Sequence, residues 1–413
     1  MPDYHLHTLP NGIRIVHKQV THTKIAHCGF IMDIGSRDEA PHQLGLAHFW
    51  EHMAFKGTAR RRAYHIINRL ENVGGELNAF TTKEKICFHA SLLDKHFPKA
   101  FDLLTDITFH STFPQKEIDK ERGVILEEMA MYLDSPDEAI HDDFDDVIYR
   151  GHPLGNNILG ERESVSRFDR QDFKHFISEH LSTDRLIFSS VSNLPFKKVV
   201  EHAKRYLTEI EPVQPPQDRI KFTEEDYEAK RISQDRPINQ THCVIGCPAY
   251  SIADPKRIPF FMLTNILGGP GMNSRLNLGV REKHGLVYSI DASFASFTDT
   301  GLFSIYFGTE KKQLKRTISL VMKEIKKLRS TALGSMQLHL AKEQLMGQLA
   351  MAEESTNGMM MMMGRSLLDL NHVEPLTDIF EKIKNTHASD LMEVANEMLH
   401  EDRLSMLTYL PQD

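Results

Sequence analysis

The sequence has no long apolar run. No uninterrupted stretch of its 413 residues approaches the roughly 20 apolar residues that a membrane-spanning helix needs. Hydrophobic residues make up 40 % of the chain and charged residues 26 %, a balance that is typical of soluble globular proteins. The composition therefore predicts a protein that does not insert into a membrane.

The sequence also has few cysteines, no excess of positive charge and no visible secretory leader. Four cysteines in a chain of this length argue against a disulfide scaffold and predict reduced, buried thiols. A formal net charge of -8 argues against nucleic-acid binding through bulk positive charge. The first residues show neither the basic segment nor the apolar segment of a secretory leader, so a cytoplasmic location is expected.

A short motif, His-Phe-Trp-Glu-His, begins at His48. Residues four apart on a helix are neighbours on one face, so His48 and His52 can converge on one metal ion, with Glu51 beside them. The motif reverses the commoner His-Glu-x-x-His order, and both place a carboxylate next to a metal-activated water. Apolar neighbours and flanking glycines predict a short buried helix over about residues 44–55.

A second helix, predicted over residues 114–132, supplies further carboxylates. Catalytic zinc takes three protein ligands and keeps one position for water, so a third ligand is needed. Glu121 and Glu128 share a face of this helix and lie about 10 Å apart along its axis. Only one of them can easily reach the metal, and the other is left to orient the metal-binding side chains.

These residues resemble the pitrilysin or insulinase family of zinc peptidases, in particular the short bacterial type related to the β subunit of the mitochondrial processing peptidase. The resemblance covers essentially the whole chain and implies one zinc ion per chain. The implied site consists of His48, His52 and Glu128 as zinc ligands, Glu51 as general base and Glu121 as an auxiliary carboxylate. The resemblance, and not the spacing, selects Glu128 over Glu127.

Three further segments match the family. Residues 74–81 look like a strand that holds the substrate peptide, and residues 268–276 look like a glycine-rich loop. The implied substrate contacts are Asn78, Ala79, Phe80, Thr81, Gly268, Gly269 and Gly271. Arg281 and Tyr288 resemble the family's pair that reaches the substrate from the opposite domain and helps to stabilise the developing oxyanion.

The chain is predicted to be α+β, with two homologous domains related by internal duplication. Each domain is expected to hold a mostly antiparallel sheet with helices packed on it, including single strands over residues 79–92 and 287–307. Proline and polar residues concentrate at about 212–218, which predicts a linker between a catalytic domain, 1–211, and a second domain, 219–413. Shifting the first half by 222 residues places Glu128 over Ala350, so the second copy is expected to lack a metal site.

Five consecutive methionines occupy residues 359–363. Thioether side chains adapt to irregular apolar surfaces, so this run predicts a helix in a core or an interface. The alternative is a flexible contact with a product or a partner.

The predicted function is hydrolysis of unfolded or short peptides by a zinc-activated water, with Glu51 as the base. The resemblance also implies a homodimer whose active site is shared between chains, with neither nucleic acid nor membrane as a partner. Two alternatives stay open at this point. One is a non-catalytic scaffold or assembly subunit of the same fold, and the other is a peptidase that requires a different partner subunit.

Overall fold

The computed structural model describes residues 4–213 and 218–412, so the centre of the predicted linker lies outside the described residues. Two sheets organise the chain. The strands of the first are β1 (His5–Thr8), β2 (Arg14–Gln19), β3 (Ile25–Met32), β4 (Glu76–Thr81), β5 (Ile86–Leu93) and β6 (Leu186–Ser192). Those of the second are β7 (Arg231–Arg236), β8 (Thr241–Ala249), β9 (Val287–Ser296), β10 (Gly301–Thr309) and β11 (Ser405–Pro411).

Helices connect and cover these strands. In chain order they are α1 (Leu46–Met53), α2 (Ala63–Glu71), α3 (Phe97–Phe109), α4 (Gln115–Leu133), α5 (Pro136–Ile148), α6 (Arg162–Arg167), α7 (Arg170–His180), α8 (Phe196–Leu207), α9 (Arg257–Gly268), α10 (Leu314–Ser330), α11 (Ser335–Glu353), α12 (Thr356–Leu370), α13 (Leu376–Asn385) and α14 (Ala388–Met398). Within residues 4–213 and 218–412, none of the helices combines the length and the apolar character that a bilayer crossing requires.

The two sheets share one topology. The first has the order β1-β2-β6-β3-β5-β4 and the second the order β7-β11-β8-β10-β9. In both, the first strand of the shared part pairs in parallel with its neighbour (β2 with β6, β7 with β11), and all later pairs are antiparallel. An identical order and direction of five strands is the pattern that duplication produces, and the predicted α+β fold of two homologous domains is confirmed.

The chain forms two compact units, each built from three segments. The first unit contains Met1–Ala130, Asn156–Ile220 and Ala352–Pro375, and the second contains Met131–Gly155, Lys221–Met351 and Leu376–Asp413. Each unit thus includes one helix from the other half of the sequence, α12 in the first and α5 in the second. The predicted domains 1–211 and 219–413 are continuous halves of the sequence, whereas these units are discontinuous. The continuous domain boundaries therefore stay a prediction.

The core of the first unit lies on both faces of its sheet. Phe30, Phe88 and Phe188 point to one face and pack with α1, α3 and α7 in a large apolar cluster. The other face is covered by α12, whose Met359, Met360 and Met363 pack with apolar side chains of β2 and β6. Three of the five consecutive methionines are therefore core residues, which confirms the core prediction for this run.

The second unit repeats this arrangement. Its main cluster joins β8, β9 and β10 with α9, α10 and α14. On the opposite face, Ile140 and Phe144 of α5 pack with Val244, Leu407 and Tyr409. All four cysteines, two in each unit, are buried and free, as their small number predicts.

Both long strands predicted as single elements are hairpins in the structure. β4 and β5 pair antiparallel across the turn at residues 82–85, and β9 and β10 do so across residues 297–300. The first turn contains neither glycine nor proline. It is held instead by Thr82, whose backbone N–H donates to Lys85 O at 2.8 Å and whose hydroxyl oxygen accepts from Lys85 N at 2.9 Å.

A buried charge cluster fixes the base of this hairpin. The Asp33 carboxylate lies 3.2 Å from Lys85 Nζ and 2.9 Å from Arg219 Nη1, and it also accepts from Arg185. Burial opposes ionisation of Asp33, but the three cations outweigh burial and hold the pKa of that carboxyl well below its usual range. Asp33 therefore stabilises the fold above its unfolded pKa, and this contribution is lost only as pH falls through the folded value.

Candidate metal centre

Helix α1 carries the two histidines of the motif, and its start is set by a glycine. Gly45, the residue before the helix, has a φ of 95°, and a Cβ there would lie 2.5 Å from the carbonyl oxygen of Leu159. The left-handed backbone and the close contact both require glycine. The helix therefore spans Leu46–Met53 and is shorter than the predicted 44–55.

The apolar face of α1 anchors the helix in the first unit. Phe49 and Trp50 are fully buried, Phe49 packing edge-on against Phe173 and Trp50 against Phe88. Burial of two large aromatic side chains contributes several kcal/mol, of the order of 1.5–3 kcal/mol each. This packing fixes the direction in which the polar side of the helix projects.

Glu39 caps the N-terminus of α1. Its two carboxylate oxygens accept from Gly45 N at 2.9 Å and from Ala47 N at 2.7 Å. Burial raises the pKa of Glu39 from 4.5 to about 8, although the two N–H donors lower it. Because the pKa is higher in the folded chain, the contribution of Glu39 to the free energy of unfolding falls as pH rises from about 4.5 towards about 8.

His48, His52 and Glu128 converge from α1 and α4. One possible ligand atom from each lies within 4.8 Å of the other two. His48 Nε2 is 3.9 Å from Glu128 Oε1, and His52 Nε2 is 3.6 Å from Glu128 Oε2. Glu127 is exposed and outside the group. Within residues 4–213 and 218–412 no second group of three such side chains forms, including at Ala350 and its neighbours.

The chemistry of this donor set fits zinc. Burial lowers the pKa of His48 to about 3, with a further contribution from His52, so His48 is a neutral imidazole with a lone pair to offer. Two imidazole nitrogens and one carboxylate oxygen are the donors of a catalytic zinc site with three protein ligands. In the part of the chain that the structure describes, the group has these three members, and a catalytic zinc site keeps its fourth position for water or substrate.

Glu121 lies on the far side of His52 and is bonded on both oxygens. Its Oε1 is 3.0 Å from His52 Nδ1, and its Oε2 is 2.7 Å from Lys56 Nζ. Burial opposes ionisation, but the hydrogen bonds from His52 and Lys56 prevail and lower the pKa of Glu121. Lys56 is absent from the sequence prediction. Its position four residues after His52 is the only sequence signal that points to it.

Glu51 faces the same side of α1 and is held by one hydroxyl. Thr81 Oγ1 donates to Glu51 Oε2 at 2.6 Å. Burial raises the pKa of Glu51, with Glu128 adding to the effect and with Thr81 and His52 acting against it. A carboxylate with a raised pKa beside a metal position is suited to accept a proton and release it again.

Thr81 belongs to β4, the edge strand of the first sheet. β4 is hydrogen-bonded to β5 alone in the described sheet order. Ala79 packs on the core and Thr81 reaches Glu51, whereas Phe80 faces the opposite side, where Arg365 lies 5.1 Å over its ring. The predicted substrate residues Asn78, Ala79, Phe80 and Thr81 thus lie on an open strand edge beside the metal-binding group.

The remaining predicted residues lie in the second unit. Gly268 ends α9, and a Cβ there would lie 2.6 Å from Ala292 N, so close packing on β9 already explains this glycine. Arg281 lies in the π-helical turn Asn277–Glu282, and its guanidinium carbon is 5.9 Å from the centre of the Tyr288 ring. Tyr288 is 84 % exposed. The structure brings Arg281 and Tyr288 together, and their contact with a substrate stays a prediction.

Both halves of the chain match family models. Residues 14–162 match the model described as Insulinase (Peptidase family M16), and residues 167–345 match the Peptidase M16 inactive domain.

Full-length relatives agree with these matches. The chain is 32 % identical to an uncharacterized zinc protease of Bacillus subtilis over 404 residues, covering 96 % of each chain. It is 29 % identical to a probable mitochondrial-processing peptidase subunit beta of Arabidopsis thaliana over 418 residues, 98 % of this chain and 78 % of the relative.

Solved structures share the fold. A protease from Helicobacter pylori superposes with a TM-score of 0.92 at 21 % identity, with all of both chains covered. A peptidase M16 inactive domain from Pseudomonas fluorescens also gives 0.92 at 18 % identity, covering 99 % of this chain and 98 % of that one.

Proposed function

Because the chain belongs to the insulinase family of peptidases, family M16, we propose that it is a zinc metalloendopeptidase that hydrolyses unfolded or short peptides. The observation that carries this proposal is the convergence of His48, His52 and Glu128 around one point, with Glu51 beside them. These three side chains would hold one zinc ion per chain. The family includes members named as zinc proteases, which supports the choice of metal.

The chain's own residues divide the work of hydrolysis. When bound, zinc supplies a Lewis acid that polarises the scissile carbonyl and lowers the pKa of an attacking water. Glu51 accepts the proton of that water and delivers it to the leaving amine. Thr81 keeps the Glu51 carboxylate in one orientation through its hydroxyl, and Glu121 acts on the site through His52.

The edge strand β4 supports the choice of substrate. An extended peptide can pair with the open backbone of residues 78–81, which places a peptide bond near Glu51. A chain that must present bare backbone to a strand edge is unfolded or short. The glycine loop, with Gly268, Gly269 and Gly271, is proposed as a further substrate contact.

We also propose that the active chain is a homodimer in which Arg281 and Tyr288 of one subunit serve the zinc site of the other. Their donors would stabilise the oxyanion, a contribution of roughly 3 to 4 kcal/mol for each well-placed donor. Glu51→Gln and Tyr288→Phe variants, each nearly inactive alone, are expected to regain activity when mixed under conditions that allow subunit exchange. Turnover of a quenched peptide measures this. A mixture that turns over no faster than the separate variants would contradict a site shared between chains.

The main rival is a non-catalytic scaffold subunit of the same fold, and metal removal separates the two. Dialysis against a chelator is expected to abolish cleavage of a quenched peptide library, and one equivalent of zinc per chain is expected to restore it. The matched control is magnesium, which prefers oxygen ligands and should restore nothing. Cleavage that survives complete zinc removal, or zinc-loaded protein that cleaves no library member, would contradict the peptidase proposal. The mass of the active species shows whether a different subunit is needed.

A further inference from the structure

We propose that Lys56 is a positioning residue of the metal centre, which acts on His52 through Glu121. The inference rests on the proposed zinc site and not on the identity of the substrate. Lys56 follows the end of α1, and no role for it was expected from the motif.

The contacts form a chain of three side chains. Lys56 Nζ lies 2.7 Å from Glu121 Oε2, and the other oxygen of that carboxylate lies 3.0 Å from His52 Nδ1. An ionised carboxylate can only accept hydrogen bonds, so Lys56 and His52 Nδ1 must both donate. His52 then carries its proton on Nδ1, and its Nε2, 3.6 Å from Glu128, keeps the lone pair that a metal needs.

The surrounding charge makes the lysine necessary. Glu51, Glu121 and Glu128 bring three carboxyl groups to one small region, and the Glu121 side chain is only 10 % exposed. Without a partner on Oε2, the Glu121 carboxylate would be free to turn towards the metal as a competing ligand. Lys56 occupies Oε2 at 2.7 Å and so holds Glu121 in its orientation towards His52.

His52 is also the imidazole for which outside support matters most. His48 Nδ1 is buried and has no hydrogen-bond partner among the described residues. The His48 ring is restrained by its burial, since the residue is only 8 % exposed. The His52 ring is held by its hydrogen bond with Glu121. The orientation of the His52 ring therefore depends on the orientation of that one carboxylate.

The alternative is that Lys56 forms an ordinary ion pair with Glu121 that stabilises the end of the helix and has no effect on the metal centre. The Lys56 side chain is 28 % exposed, and ion pairs that solvent reaches contribute little to the stability of a fold. That reading predicts a small change in the melting temperature of the metal-free protein and no change in metal affinity. A positioning role for Lys56 therefore predicts a change in zinc affinity, whereas the alternative predicts a change in melting temperature alone.

The test is zinc affinity, measured by competition with a chromophoric chelator at constant pH. Lys56→Met is expected to raise the zinc dissociation constant about 10-fold, the lower end of the 10- to 100-fold range for groups that support metal ligands. Lys56→Arg, which restores the cation, should stay within about threefold of wild type. The matched control is Lys120→Met, which breaks an exposed pair with Glu117 at 3.1 Å on α4 and should change nothing.

A double-mutant cycle completes the test. In a Glu121→Gln background, Lys56→Met is expected to have no further effect on zinc affinity, because both changes break one chain of contacts. An unchanged dissociation constant in Lys56→Met, or an equal loss in the Glu121→Gln background, would overturn the inference. Lys56→Gln is a second variant in case the Met protein does not fold. Zinc binding needs no substrate, so a chain that cleaves no peptide still gives a result, and failure of the peptidase proposal stays separate.

Discussion

Replacing Glu51 with glutamine is expected to lower kcat by about 10³-fold while zinc stays bound, because a general base contributes about 10² to 10⁴ to the rate. Glutamine has nearly the same shape and can still accept from the Thr81 hydroxyl, so the site keeps its geometry. An amide cannot take up the proton of the attacking water. Turnover of a quenched peptide and metal content by atomic absorption measure the two expectations.

The control for this variant is Glu163→Gln, which makes the same change at a side chain that is 80 % exposed. It should turn over as wild type does. If Glu51→Gln kept more than about a tenth of wild-type turnover, the base would have to be another group. If it lost its zinc, the carboxylate would be a ligand, and the assignment of Glu128 would have to be revised.

The second large effect is expected at Glu128. Glu128→Gln should weaken zinc binding by at least about 100-fold, above the range for groups that only support ligands. The amide replaces a charged oxygen donor with a neutral one that polarises poorly towards a cation. Glu127→Gln makes the same chemical change one residue away, at an exposed position, and should leave affinity unchanged.

Chelator competition measures both variants under the same conditions. If both Glu127→Gln and Glu128→Gln bound zinc as tightly as wild type, neither carboxylate would be a ligand of the metal. A loss confined to Glu127→Gln would mean that α4 is rotated relative to the structure described above. Because neighbouring helix positions differ by about 100°, the pair reports the orientation of this helix directly.

The local part of the site follows from the sequence alone. His48 and His52 face the same way because a helix repeats every 3.6 residues, and this requires no knowledge of the fold. The choice among Glu121, Glu127 and Glu128 is different. That choice depends on how α4 crosses α1, and the spacing of residues within one helix carries no information about the crossing. Only the family resemblance selects Glu128.

Other features depend on contacts between distant segments. Glu39 caps α1 through two backbone N–H groups, and no spacing rule links it to the motif. The β4–β5 turn escaped prediction because Thr82 holds it without the glycine or proline that usually marks a turn in a sequence. The methionine run likewise predicted a helix in a core or an interface, but not which sheet that helix covers.

The segment composition of the first unit constrains the order in which the chain can mature during synthesis. In the unit that contains the metal-binding group, the helix that covers one face of the sheet comes from Ala352–Pro375, far downstream of the strands. Until that segment emerges from the ribosome, Val16, Ile187 and Val191 lack the methionines that shield them. A nascent chain that ends before residue 352 should therefore expose this apolar face to chaperones, even though every zinc-binding side chain has already been made.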